Sequence, residues 1–276
     1  MSTLASIQRL PRAAHTGRVT QLRVVVSEWT KLHSLRSTRW SLFAGILLTI
    51  AFPVLFAAVT SSHWGTMSAH ERADRHPLDI ALAGVNVAQL AVAVLGVLVI
   101  TGEYSTGMIR ATFTAVPRRL PVLWAKILVY AAVTFALSLP AVLVAFFASQ
   151  AILSRHDLLQ ISFSHPGVAR SVIGGAIYLM LVGIFALGIG AIVRNTAGGI
   201  ATFAAIFFVI PPLMNILPTS WNNAISQYLP SEAARQIFSL THGAHSLAPW
   251  PGGLLFVGYC ALTLAIAAVL LVRRDT

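Results

Sequence analysis

Six long apolar runs divide the chain: about Trp40–Thr60, Ile80–Thr101, Val122–Leu153, Ser171–Val193, Gly199–Leu217 and Gly252–Val272. Each is near or above the ~20 apolar residues that a helix needs to cross a hydrocarbon core. Threading the chain through a membrane six times sorts its charge. The side holding the N-terminus receives 14 Lys and Arg, and the other side five: Arg72, Arg75, Arg155, Arg170 and Arg235. Three acids fall on the first side and five on the second, so the net charges are +11 and 0. By the positive-inside rule both termini are expected in the cytoplasm.

Composition agrees with a membrane protein. Hydrophobic residues make up 57% of the chain and charged ones 10%, where a soluble domain has about 25% charged. The basic excess lies beside membrane ends, where each side chain gains roughly 1 kcal/mol against an anionic leaflet. It therefore points to membrane lipids as partners and not to nucleic acid. The single cysteine, Cys260, lies in the sixth run, so no intrachain disulfide can form. The first 39 residues lack the apolar core of a signal peptide, which makes the first span the expected signal-anchor.

Between the runs the pattern divides the chain into three parts. Residues 1–20 are basic and aperiodic and are expected to be a mobile arm. Residues 21–39 read as an interfacial amphipathic helix: Leu22, Val25, Trp29 and Leu32 recur at three- and four-residue steps. Arg23, Glu28, Lys31 and Arg36 lie largely off that stripe, and Glu28 is placed to pair with Lys31 at i,i+3. Such a basic helix lies in the membrane interface, or serves only as a basic anchor that sets topology. Residues 40–274 form the six-helix transmembrane domain. The fold class is thus an all-α membrane protein.

The connection Gly102–Pro121 is the most polar one on the N-terminal side. Glu103 marks the exit of the second run, and Arg110, Arg118, Arg119 and Lys126 surround the re-entry. A short helix ending before Pro117 fits this stretch, interrupted only by Gly107. It offers either a docking surface for a soluble partner or a charged loop that orients its two spans. The third run exceeds what a bilayer needs, so it must tilt, kink at Pro140, or project beyond the membrane. Pro211–Pro212 is expected to interrupt the fifth run near its outer end. The segment Pro218–Pro251, with Trp221 and Trp250, suits residues at the lipid boundary and is expected to be partly re-entrant.

Chemistry is sparse. No Asp, Glu, Arg or Lys is expected mid-bilayer, where one would mark function; Lys126 is expected to snorkel to the surface. Asn86 and Gln89 share one face of the second span and either line a path or bond between helices. The fragment His70-Glu71-Arg72-Ala73-Asp74 falls short of a zinc-protease HExxH pattern, with Asp in place of the second His, and lies in a polar loop. No metal or catalytic residue is expected in this chain. Gly102 and Gly107 have the spacing of P-loop glycines, but Met108 and Ile109 follow where Lys and Ser/Thr belong. A nucleotide that drives this chain must therefore sit on another polypeptide.

The segment Glu103…Gly107-Met108-Ile109-Arg110…Pro117-Arg118-Arg119…Lys126 resembles the first cytoplasmic loop of type-2 ATP-binding-cassette (ABC) exporter permeases. Glu28-Trp29-Thr30-Lys31-Leu32 and Ser34–Arg39 are similar to the entry helix of the same permeases. The similarity runs over Gln21–Arg274, and the preference for arginine resembles the high-GC bacterial branch. The resemblance implies a bacterial plasma-membrane subunit that pairs with a second permease subunit and docks on a separate ABC ATPase. ATP and Mg would be held by that ATPase. It implies a coupling helix at Glu103–Arg119, with Glu103 meeting basic groups and Arg110, Arg118 and Arg119 positioning the loop. It also implies that Gln21–Arg36 is the connecting helix and that the segment before the sixth span is a re-entrant outer gate. The outer loop Ser61–Asp79 is longer and more charged than the family pattern. A different class of function, a membrane sensor or interaction protein, would use the outer histidines His63, His70, His76, His156, His165, His242 and His245.

Overall fold

A computed structural model describes residues 20–73, 75–108, 114, 119–155, 160–240, 243 and 245–274. The basic arm lies outside the described residues except for Thr20, as do Arg110 and Arg118. Among the described residues the chain is helical, with six helices long and apolar enough to cross a membrane. It is a multi-pass membrane protein. A short helix α1 (Gln21–Ser34) precedes the first span, α2 (Arg36–His63). Then come α3 (Ala69–Ala73), the spans α4 (Pro77–Ser105), α5 (Arg119–Ser154) and α6 (Val168–Val193), and the fifth span α7 (Thr196–Met214). Two short helices, α8 (Thr219–Ile225) and α9 (Pro230–Arg235), lead to the last span, α10 (Pro249–Arg274).

The helices outrun the apolar runs that announce them. The 21–39 helix ends at Ser34; Leu35 alone is extended, at φ −77° and ψ 125°, and Arg36–Arg39 already form the first turn of α2. Hydropathy marks where lipid begins, whereas nothing in Arg36–Arg39 opposes helix formation. The third span shows the largest excess. At 36 residues α5 is about 54 Å long, against a core of about 30 Å. It continues through Pro140, and its first two turns project on the N-terminal side, where α1 packs against them through Val24, Val122 and Ala125.

The centre of the bundle is α6, which is 72% buried across its apolar window. Its glycines allow this, because other backbones lie directly against them. A Cβ on Gly96 of α4 would overlap the carbonyl oxygen of Gly183, and one on Gly183 would overlap the Tyr130 hydroxyl. That hydroxyl donates to the Val92 carbonyl at 2.8 Å, so three spans meet at one tight crossing. A second close approach follows from Pro53. Proline has no N–H to give to the Thr49 carbonyl, and that oxygen faces the bare Cα of Gly84 instead.

The fifth span is widened where an interruption was expected. Ala205–Val209 form a π-turn in which Ile210 N–H donates to Ala205 O, and α-helix resumes over Ile210–Met214. The wider turn makes room for Pro211 and Pro212, whose rings would otherwise meet the carbonyls four residues earlier.

The segment before the last span folds back on the bundle. Tyr259 Oη donates to Tyr228 O at 2.8 Å. Tyr259 lies ten residues into α10, or on the order of 15 Å from its start, so the segment dips alongside the span. Arg170 at the start of α6 latches it, donating to Ile237 O at 3.2 Å and Ser239 O at 2.7 Å. Gly174, one turn on, packs against the same Ile237 carbonyl. Arg170→Ala removes both bonds, each of the charge-assisted kind. Amides of residues 236–240 should then exchange with solvent at least about tenfold faster, measured by hydrogen–deuterium exchange.

In the loop between the first two spans, Ser68 and Glu71 form a capping box at α3, with Ser68 N–H donating to Glu71 Oε2 at 2.7 Å and Glu71 N–H to Ser68 Oγ at 3.3 Å. The Ser68 backbone bond holds the Glu71 carboxyl below its usual range. The histidine and glutamate of the HExxH-like fragment are thus exposed on a helix of five residues, and Asp74 lies outside the described residues.

Candidate functional site: a buried charge junction

Four charged side chains from three helices meet where α1, the end of α4 and the start of α5 converge. Lys126 Nζ bonds Glu28 Oε2 at 2.6 Å and Glu103 Oε1 at 2.9 Å. Lys31 Nζ bonds Glu28 Oε1 at 2.7 Å and the same Glu103 oxygen at 3.0 Å. Lys126, Glu28 and Glu103 are each about 4% exposed. Lys126 therefore does not snorkel, because two buried carboxylates hold it.

The buried stripe of α1 is Val24, Glu28 and Leu32, one residue per turn. Leu22 and Trp29, expected on the apolar face that lies in the membrane interface, are 72% and 52% exposed on the bundle surface, whereas Glu28, expected largely off the apolar stripe, lies in the buried one. The physical reason is Lys126: an acid can occupy a packed face when a cation from another helix meets it there. Glu103 likewise sits at the C-terminal end of α4, where the helix dipole disfavours an anion. Two ammonium groups outweigh that cost.

The junction is electrically balanced, with two carboxylates against two ammoniums, so it offers a metal cation no surplus negative charge. Beside it lies a cavity of about 220 Å³ lined by residues including Thr38, Gly102 and Thr106. Glu103 Oε2 is buried without a hydrogen-bond partner among the described residues.

Burial works against the charged form of Lys31, but the hydrogen bond and charge of Glu28, joined by those of Glu103, raise its pKa above the ordinary 10.5. A raised lysine stabilises the fold fully below its unfolded pKa, and that contribution is lost as pH rises through the folded value. The stability difference between wild type and Lys31→Met should therefore be constant from neutral pH to about pH 10 and disappear above it, as thermal unfolding in detergent would show.

Other expected site residues take separate positions. Gly107 follows the end of α4 at φ +70°, with its N–H on Tyr104 O at 3.2 Å, the left-handed residue that stops a helix. Arg119 turns inward and donates to Leu271 O at 3.0 Å and Val272 O at 3.4 Å. Arg194, read in the sequence only as part of the turn between the fourth and fifth spans, donates to Leu270 O at 3.1 Å and stands 5.1 Å from the Tyr104 ring. The two guanidiniums cap the last carbonyls of α10, where the helix dipole favours cations. Arg36 is exposed.

Gln89 is buried and spoken for: Tyr178 Oη donates to its Oε1, and its Nε2 donates to Asn86 O at 2.7 Å. Gln89 is thus bonded to a neighbouring helix, while the Asn86 side chain is half-buried. Tyr130, Tyr178, Arg170 and Arg194 are the structural polar residues that sequence reasoning missed; a buried tyrosine leaves no periodic signal that distinguishes it from core.

Compared with models of known protein families and with curated proteins, the chain matches none.

Proposed function

We propose that this chain is the membrane-spanning permease subunit of an ATP-driven exporter similar to the type-2 ABC class, in a bacterial plasma membrane with both termini cytoplasmic. The observation that carries this reading is the buried junction. Glu28, Lys31, Glu103 and Lys126 come from the separate stretches that carry the resemblance, and their side chains meet at one point at the base of the 106–118 connection. A force applied to that connection by a docked ATPase would reach the end of α4, the start of α5 and α1 together, because the same carboxylates and ammoniums tie all three. Arg119 would extend the connection to α10. ATP and Mg stay on the ATPase, and this chain contributes no catalytic group.

A second permease subunit would cover part of the apolar surface of α2, α7 and α10, whose apolar windows are only 22%, 17% and 22% buried. Asn86 remains a path-lining residue in this reading; Gln89 serves the bundle. The test is purification of the tagged chain from its native membrane in mild detergent. A co-purifying ATPase is expected, its turnover lost in Arg110→Glu while the permease keeps its thermal stability. A folded preparation without any nucleotide-binding partner would overturn the proposal. Glu103→Ala is unsuited to this test, because it strips a buried partner from Lys126 and Lys31 and so acts on the fold.

A further inference from the structure

On the outward surface of the bundle, α1, the start of α2 and the middle of α5 enclose a cleft of about 420 Å³, within the roughly 300–1,000 Å³ of ordinary ligand pockets. Its walls are apolar, including Trp29, Leu42, Ala132, Val133, Ala136 and Leu137. The cleft exists because α5 presents alanine at 132 and 136, one turn apart, where larger side chains would close it. Two of its three walls are membrane-spanning helices, so whatever fills it lies inside the leaflet on the N-terminal side.

The mouth of the cleft is cationic. Arg39 lines both this cleft and a neighbouring recess of about 480 Å³ formed with Arg36, Trp40 and Phe43. Both arginines are exposed, and neither side chain has a hydrogen-bond or ion-pair partner among the described residues. His33 stands at the rim of the cleft. Trp29 and Trp40, 52% and 71% exposed, flank the mouth at the level where amphipathic rings meet headgroups. Among the described residues no acid lines either hollow.

From this apolar trough with a doubly basic, unpaired head we infer that the cleft is a binding site for one anionic phospholipid. Its phosphate sits between Arg36 and Arg39 and one acyl chain lies along Ala132 and Ala136. A planar guanidinium pair donates forked hydrogen bonds to phosphate oxygens, and the site needs no part of the transport reading. Being continuous with α1 and the Leu35 link, the lipid would tie the α1–α2 elbow to α5 from the membrane side, opposite the buried junction.

The test uses the full chain in nanodiscs of equal phosphatidylglycerol and phosphatidylcholine, ejected for native mass spectrometry. Wild type should retain one phosphatidylglycerol in preference to phosphatidylcholine. Arg36→Gln/Arg39→Gln should weaken that preference about tenfold or more, and Ala136→Phe should lower retention of both lipids while leaving the charges in place. All three positions are exposed, so thermal stability should be unchanged. Equal retention of the two headgroups by wild type would overturn the inference. So would full retention in either variant, or recovery of a lipid-free dimer in place of a lipid-bound chain, which would assign the face to a second copy of the chain.

Discussion

Lys126→Met should cost about 3–5 kcal/mol of stability, the usual consequence of removing one partner from a buried ion pair. The lysine is 4% exposed and holds two carboxylates that are themselves buried. Methionine fills the stem but leaves Glu28 and Glu103 with only the peripheral Lys31. The expected result is a chain that inserts in the membrane yet loses its monodisperse peak after mild heating in detergent. The triple change Glu28→Gln/Glu103→Gln/Lys126→Met should recover most of the loss, since no buried charge is left and Lys31 can extend to water. If the single variant were as stable as wild type, the junction would not hold α1 to the bundle.

The second large effect is steric. Gly96→Leu places a Cβ inside the van der Waals shell of the Gly183 carbonyl, with Leu187 N at 3.2 Å as the next contact. Both obstacles are backbone, so the clash is relieved only by moving α4 away from the central α6. Overpacking costs ~1–3 kcal/mol when side chains can yield, and here the loss should exceed that. Gly258→Ala in α10 is the control: nothing lies within 4 Å of its added Cβ, and helix propensity favours alanine by up to ~1 kcal/mol. Thermal unfolding of the two variants should move in opposite directions.

The spans were legible because apolarity alone determines whether a helix can cross lipid. Their ends were not, because Arg36, Ser105 and Arg119 continue helices beyond the apolar limit. The charged patterns of residues 21–39 and 102–121 were legible, and Glu103 does meet basic groups at the end of its span, yet the burial of Glu28 was misjudged. Periodicity treats Glu28 as a solvent-facing residue, and its partner is 98 residues away. A burial that depends on a distant cation leaves no local trace. The small residues of α6 announced close packing, but Gly96, Tyr130 and the Ile237 carbonyl, which use that space, lie on other elements. Arg119 shows the converse case, where the motif attracted attention and the side chain serves the end of α10.

The length of α5 turns it into a lever. At one end it carries Lys126 and the junction, and at the other Gln150, which donates to Pro77 O at 3.4 Å and accepts from Ile161 N–H at 3.1 Å. A rigid rod of about 54 Å that tilts 10° about its midpoint moves each tip by about 5 Å, the pitch of one helical turn. Under the proposed function, a push at one membrane surface would reach the loops on the opposite surface reversed in direction and of similar size.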